Sequence, residues 1–219
     1  MKLELMGEFF DARLAEYESH MLDCIESART FYPFTAKLLP MEANTQILDL
    51  GCGTGLELDE YFKINPSAHI TGIDLAPGML STLKAKHNNK NLTLICDSYF
   101  DYDFGVNCFD AAVSVESLHH YTPEEKSDLY SKLFASLKST GYFILTDYFA
   151  KDNTEEAFLR SEYSRLKLEQ NITDNRFYHF DTPLTVEHEI QILIESGFMK
   201  VEVLSNWKNT FIIRANKSI

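Results

Sequence analysis

Gly51, Gly53 and Gly55 stand at alternate positions after the apolar run Gln-Ile-Leu-Asp-Leu at 46–50, so every second Cβ is missing from the turn that follows. A ligand can touch the backbone there. Leu56, Leu58, Tyr61 and Phe62 then have the spacing of a helix with one apolar face, and the free N–H groups at its start attract acceptors. Asp74 closes the alternating stretch 69–74, about twenty residues beyond the glycines, where nucleotide-binding α/β folds place an acid on ribose hydroxyls. The two features together describe a nucleoside site. A dinucleotide turn needs a further glycine against the pyrophosphate, and Leu56 and Leu58 occupy the candidate positions. Pyrophosphate is therefore disfavoured, whereas an adenosine carrying an amino-acid tail is compatible.

A second set of residues can exchange protons. Glu116, His119, His120 and Asp147 fall at the C-terminal ends of two further apolar runs, where ligands collect in open α/β sheets. Any of them could serve as base. His119 is preferred because it lies nearer the strand end, and the two adjacent histidines are not expected to share one pocket; each also fits a solvated loop. No metal is expected, because adjacent histidines lack the facing geometry of an i, i+4 pair and no cysteine stands near. Cys52 reads as a small filler between glycines.

These groups need a scaffold of alternating strands and helices, the pattern of a mostly parallel sheet covered on both faces. The spacing predicts an N-terminal helical region over 9–30, then helices at 56–62, 77–86 and 123–137. The last has a clear start, with Thr122 as N-cap, Pro123 in the first turn, and Glu124 and Glu125 at the positive end of the dipole. A further helix runs from Thr185 to Ser196, and strands at 201–205 and 210–215 make a hairpin around 206–209. Residues 149–184 exceed what such a sheet requires, and long connections of this kind are often lids. Their charged part, 154–170, also fits a surface helix laced by pairs such as Glu156 with Arg160.

Asp-Leu-Gly-Cys-Gly-Thr-Gly followed by Gly-Ile-Asp-Leu-Ala closely resembles the cofactor motifs of class I S-adenosylmethionine-dependent methyltransferases. Cys96-Asp97-Ser98, the run 109–115 and the run 141–147 resemble later elements of that family, so the likeness spans residues 44–148. It implies an α/β, Rossmann-like seven-stranded mostly parallel sheet with an antiparallel last strand, helices on both faces, an N-terminal helical cap and an insertion after strand five. It also implies one domain over 1–219, divided into a cap (1–40), cofactor core (44–148), lid-like insertion (149–184) and a last helix with C-terminal hairpin (185–219).

The cofactor implied is S-adenosyl-L-methionine, leaving as S-adenosyl-L-homocysteine. Its candidate contacts are Asp49, Gly51, Cys52, Gly53, Asp74, Leu75, Met79, Asp97, Ser98 and Glu116, with Tyr17 closing over the methionine part and Arg13 pairing the carboxylate. Asp97 fits a turn or cap residue equally well, and Arg13 is equally placed to pair Glu16 or Asp11. Catalytic candidates are His119, Glu116 and Asp147. Candidate substrate contacts are Tyr17, His20, His120, Tyr148 and His179, although the aromatics at 178–180 would equally anchor a loop. The expected activity is methyl transfer to a nitrogen, oxygen or sulfur atom of a small molecule; the alternatives are a related enzyme using the cofactor for other chemistry and a noncatalytic cofactor-binding partner.

A net charge of −13 argues against nucleic acid, which needs clustered Lys and Arg. Cys24, Cys52, Cys96 and Cys108 are scattered and read as reduced thiols. The first residues carry acids where an export signal would be basic and apolar, and no apolar run reaches membrane length. A cytoplasmic monomer or homodimer without membrane contact is expected.

Overall fold

The computed structural model describes residues 1–218. Two helices, α1 (Met6–Cys24) and α2 (Ala28–Lys37), precede the sheet. They divide the region expected as one: the chain turns at Ser27, which takes a left-handed φ of 64°. The alternation then runs β1 (Gln46–Leu50), α3 (Leu56–Ile64), β2 (His69–Asp74), α4 (Pro77–Lys86), β3 (Asn91–Cys96), β4 (Phe109–Val115), α5 (Pro123–Ser136) and β5 (Leu137–Tyr148). After it come α6 (Asn153–Glu169), α7 (Val186–Glu195), β6 (Lys200–Trp207) and β7 (Thr210–Asn216).

The seven strands lie in the order β3-β2-β1-β4-β5-β7-β6. β1 to β5 pair in parallel, and β7 enters antiparallel between β5 and β6. The order reverses between β1 and β4, so the crevice beyond their carboxyl ends is where an open α/β sheet takes its ligand.

Both faces of the sheet are covered. On one, Leu48, Leu50, Phe143 and Leu145 pack against Tyr130 and Leu133 of α5 and Leu193 of α7. On the other, Ile47, Val113 and Ile144 meet Phe31 of α2 and Tyr61 of α3. α5 starts as its sequence dictates: the Thr122 hydroxyl accepts from Glu125 N while the Glu125 carboxylate accepts from Thr122 N. α5 and α7 also share a buried ion pair, Lys126 Nζ to Glu189 Oε2 at 2.6 Å, with the Tyr130 hydroxyl donating to the same carboxylate.

The segment after β5 is tied down at three places. Glu156 of α6 makes the expected i, i+4 pair with Arg160, though only at 3.9 Å. It is buried rather than on the surface, and its shorter contacts are to Thr185 N, from which it accepts at 2.8 Å, and to His188 Nδ1 at 2.7 Å. Further on, Leu5 and Tyr178 form an antiparallel bridge, with Met6 N donating to Phe177 O and His179 N to Glu4 O, each at 2.9 Å. Thr182 N then donates to His119 O at 2.8 Å. The segment is thus stitched to the N-terminal strand on one side and to the end of β4 on the other. No described helix is long and apolar enough to cross a membrane.

Candidate active site

The turn from β1 into α3 follows the carboxyl end of the sheet. Gly51 and Gly53 take φ values of +73° and +48°, a region where a Cβ is strained. Their surroundings differ. A Cβ on Gly51 would fall 2.0 Å from Ser117 Oγ, so this glycine lets the loop after β4 close in. A Cβ on Gly53 would meet nothing nearer than the Tyr17 hydroxyl at 3.6 Å. Asp74 is set against this turn: Oδ2 accepts from Gly53 N and Oδ1 from Ala76 N, both at 2.8 Å. Each oxygen keeps a further lone pair free for a diol. Burial raises the Asp74 pKa against the pull of these N–H groups.

A narrow slot of about 40 Å³ runs along the turn, lined by Gly51, Gly53, Asp74, Leu75, Met79 and Tyr17 among others. Asp97 and Ser98 lie outside it, in a neighbouring groove that meets the slot at Met6 and Leu75. Cys52 points away, its sulfur packed against Gly72 of β2. Asp49 is buried in β1 beneath the turn, against Glu57 of α3. Burial pushes Glu57 up to about 7 and Asp49 well above the carboxylate range, each reinforced by acidic neighbours. One oxygen of each finds no donor among the described residues; a shared proton, a bridging water or a cation would satisfy both.

Glu116, directly after β4, has φ +50°. That conformation costs about 1–3 kcal/mol for a residue with a side chain, and it is held by Glu116 N donating to Thr146 O. The bend delivers the carboxyl to the meeting point of the slot, a cavity of about 480 Å³ and a third of about 380 Å³. Burial and the neighbouring Asp147 push it up to about 8. Asp147 is buried at the end of β5 and accepts from Leu118 N, Tyr148 N and His119 Nδ1, the last at 2.6 Å. Burial alone would lower the His119 pKa, but Asp147 and Asp181 raise it to about 9.

The adjacent histidines do share one pocket. Leu118–His120 is a 3-10 turn that brings both rings to the 480 Å³ cavity with centroids 4.0 Å apart, contrary to the expectation for neighbours in sequence. Asp181 completes the group, 3.2 Å from His120 Nδ1 and 3.7 Å from His119 Nε2. Burial and the charge of His119 lower the His120 pKa. The Asp181 carboxyl is pulled far down by the three histidines despite its burial. His179 stacks on Phe9 at 3.4 Å, and burial lowers it to about 4.

The other candidates separate by position. His20 and Arg13 line the 480 Å³ cavity, and Tyr148 lines the 380 Å³ one with Trp207 and Lys208. Arg13 pairs with Glu4 at 2.9 Å and lies over the Phe9 ring, rather than pairing Glu16 or Asp11. Asp11 instead accepts from Gly78 N. Ser117, Tyr99, Tyr121 and Asp181 are not singled out by the sequence: Ser117 and Tyr121 reach the site through the turn after β4, Tyr99 from the loop after β3 with its hydroxyl 3.2 Å from Ser117 Oγ, and Asp181 through the crossing of residues 177–182.

Comparison with known proteins decides what this arrangement is. Residues 47–141 match the model of a methyltransferase domain. A carboxy-S-adenosyl-L-methionine synthase of Campylobacter fetus is 25% identical over 78% of this chain and 78% of its own length. A malonyl-[acyl-carrier protein] O-methyltransferase of Bacillus cereus is 28% identical over 66% of this chain and 53% of its own. The matched stretch is a methyltransferase domain, and the chain is similar over most of its length to enzymes that make or use S-adenosylmethionine derivatives. The fold agrees with a solved structure from Nostoc punctiforme provisionally described as an O-methyltransferase, TM-score 0.72 at 20% identity, which covers 99% of this chain and of which it spans 63%.

The residues fit the family's cofactor, S-adenosylmethionine. It carries two cations, a sulfonium and an α-ammonium. Asp74 and Glu116 border the slot and no Lys or Arg does, while the orphaned oxygens of Asp49 and Glu57 wait beneath the turn. A slot bordered by carboxyl groups and by no Lys or Arg, with His120 held neutral by its lowered pKa, favours such a ligand.

Proposed function

We propose that this enzyme transfers the methyl group of S-adenosylmethionine to a nitrogen, oxygen or sulfur atom of a small molecule held in the 480 Å³ cavity. One observation carries the reading: Phe10, Tyr17, Glu116 and His120 border both slot and cavity. A donor in the slot and an acceptor in the cavity would face each other across these side chains. In-line alignment of that kind supplies up to roughly 7–11 kcal/mol of a transfer barrier.

Within this reading, Asp74 takes the ribose diol, and Gly51, Gly53, Leu75 and Met79 line the adenosyl part. Tyr17 divides methionine from acceptor. Asp49 and Glu57 lie beneath the turn on the ammonium's side, where a bound cation would favour their ionised forms. The sulfonium is already activated, so the protein's remaining task is to orient the acceptor and take its proton. Glu116 and the His119–Asp147 pair are the groups within reach, Glu116 as a base above about pH 8 and His119 above about pH 9. Glu16 and Asp181 on the cavity wall are offset by Arg13 and His119, so the wall does not select the acceptor's charge.

The test is a panel of small amines, alcohols and thiols incubated with the enzyme and cofactor, read by release of S-adenosylhomocysteine and by the added methyl mass. Turnover confined to none of the three classes would overturn the reading. A second reading rests on the relative named as a carboxy-S-adenosyl-L-methionine synthase: modification of the cofactor itself. Native mass spectrometry separates the two, since the second predicts a bound ligand heavier than S-adenosylmethionine.

A further inference from the structure

We propose that His119, His120 and Asp181 form a binding site for a divalent transition-metal ion on the wall of the acceptor cavity. One ligand atom from each lies within 4.8 Å of the others. The two edges that can be measured, 3.2 Å and 3.7 Å from Asp181 Oδ1 to the two imidazoles, bracket the spacing a tetrahedral ion imposes. With bonds of ~2.0–2.1 Å, its ligand atoms sit about 3.3 Å apart. Two imidazoles and one carboxylate are also the donor set that zinc and ferrous ions take while leaving coordination positions open.

A second, independent feature points the same way. A metal-ligating histidine almost always has its other ring nitrogen held by a carboxylate or carbonyl, which sets the tautomer and ring orientation. His119 Nδ1 is held by buried Asp147 at 2.6 Å, leaving Nε2 as the face toward Asp181. Asp147 is itself fixed by the Leu118 and Tyr148 N–H groups. The support of His119 is thus built before any ion arrives, while His120 Nδ1, also 3.3 Å from Phe180 O, would turn from that carbonyl to the ion. Access is open too: the Asp181 side chain is 51% exposed, so an ion can enter from solvent. The open positions would face the cavity next to Glu116, where an acceptor's oxygen, nitrogen or sulfur could bind beside the methyl donor. The sequence hides this site because its carboxylate comes from the segment after α6, brought in by the Thr182 to His119 hydrogen bond.

The location draws on the methyl-transfer reading, but the test does not. Protein stripped with a chelator is titrated with Zn²⁺ by calorimetry and with Co²⁺ by visible absorption, without acceptor or turnover. One ion per chain is expected, with cobalt ligand-field bands of a four- or five-coordinate site. Asp181→Asn and His120→Ala should each weaken zinc, and Asp147→Asn, which only supports His119, should cost about 10–100-fold. Asp181 does not line the slot, so Asp181→Asn should keep its affinity for S-adenosylhomocysteine, which shows that the fold is intact. Thermal melting serves the same purpose for His120→Ala. Absence of stoichiometric binding would overturn the proposal, as would zinc affinity unchanged in the His120→Ala/Asp181→Asn double variant.

Discussion

Asp74 already accepts two backbone N–H groups, and its remaining lone pairs are what a ribose diol would use. Asp74→Ala should weaken S-adenosylhomocysteine binding by about 1.5–3 kcal/mol, the value of hydrogen bonds to a charged group; calorimetry gives the answer, and unchanged affinity in a folded variant would assign the ribose elsewhere. Beneath it, Glu57 makes a different prediction. Burial holds its folded pKa near 7 against an ordinary value of 4.5. Between those values the folded state keeps a proton that the unfolded state has lost, so stability falls as pH rises from about 4.5 to about 7 and then levels. Glu57→Gln should remove that fall. Denaturant melts of both proteins at pH 5 and pH 7.5 would check it, and parallel slopes would contradict the burial argument.

Elements built from local chemistry could be read from the chain alone. The glycine turn between β1 and α3, the end of β2 at Asp74 and the capped start of α5 each depend on residues a few positions apart, and all three lie as expected. What could not be read depends on long-range contact. Arg13 pairs Glu4, nine positions earlier and outside α1, rather than a neighbour on its own helix. Glu156 is drawn inward because Thr185 and His188 present a helix start that needs an acceptor. Asp181 reaches the histidines only by way of residues 177–182. Those residues and the N-terminal strand form one strap, Leu5 against Tyr178. Two strands of this length are marginal on their own, so the strap should be the least protected part of the free protein. Hydrogen exchange should show protection at residues 4–6 and 177–179 rising when S-adenosylhomocysteine binds. Equal protection in both states would mean a fixed wall rather than a moving cover.

Across the whole molecule, the charge of −13 is not spread without effect. Asp74 and Glu116 face the slot, with Asp49 and Glu57 behind the turn; the last three have raised pKa values, so a bound cation would draw out their ionised forms and be held by the field that results. S-adenosylmethionine carries one more positive charge than its product. Its affinity should therefore fall more steeply with added salt than that of S-adenosylhomocysteine, because screening acts on the exposed part of the field. Titrations of both ligands at low and high ionic strength test this; identical salt slopes would place the sulfonium away from the acids. The same field would favour release of the neutral thioether after each turnover.

The strap also sets an order in time. The slot is built almost wholly from residues 46–121, whereas the acceptor cavity waits for residues 177–181 to return to the N-terminal strand. A chain emerging from the ribosome presents its donor groove long before it has a place for the acceptor. At about 5–20 residues synthesised per second, the chain of residues 177–181 emerges several seconds after residue 121. A cofactor captured in that interval would be bound by a protein that has nothing yet to methylate. Arrested nascent chains of increasing length, probed for protection by S-adenosylhomocysteine, would show whether the cofactor is present before the enclosure is finished; protection appearing only in chains that include β7 would show that the groove waits for the whole sheet.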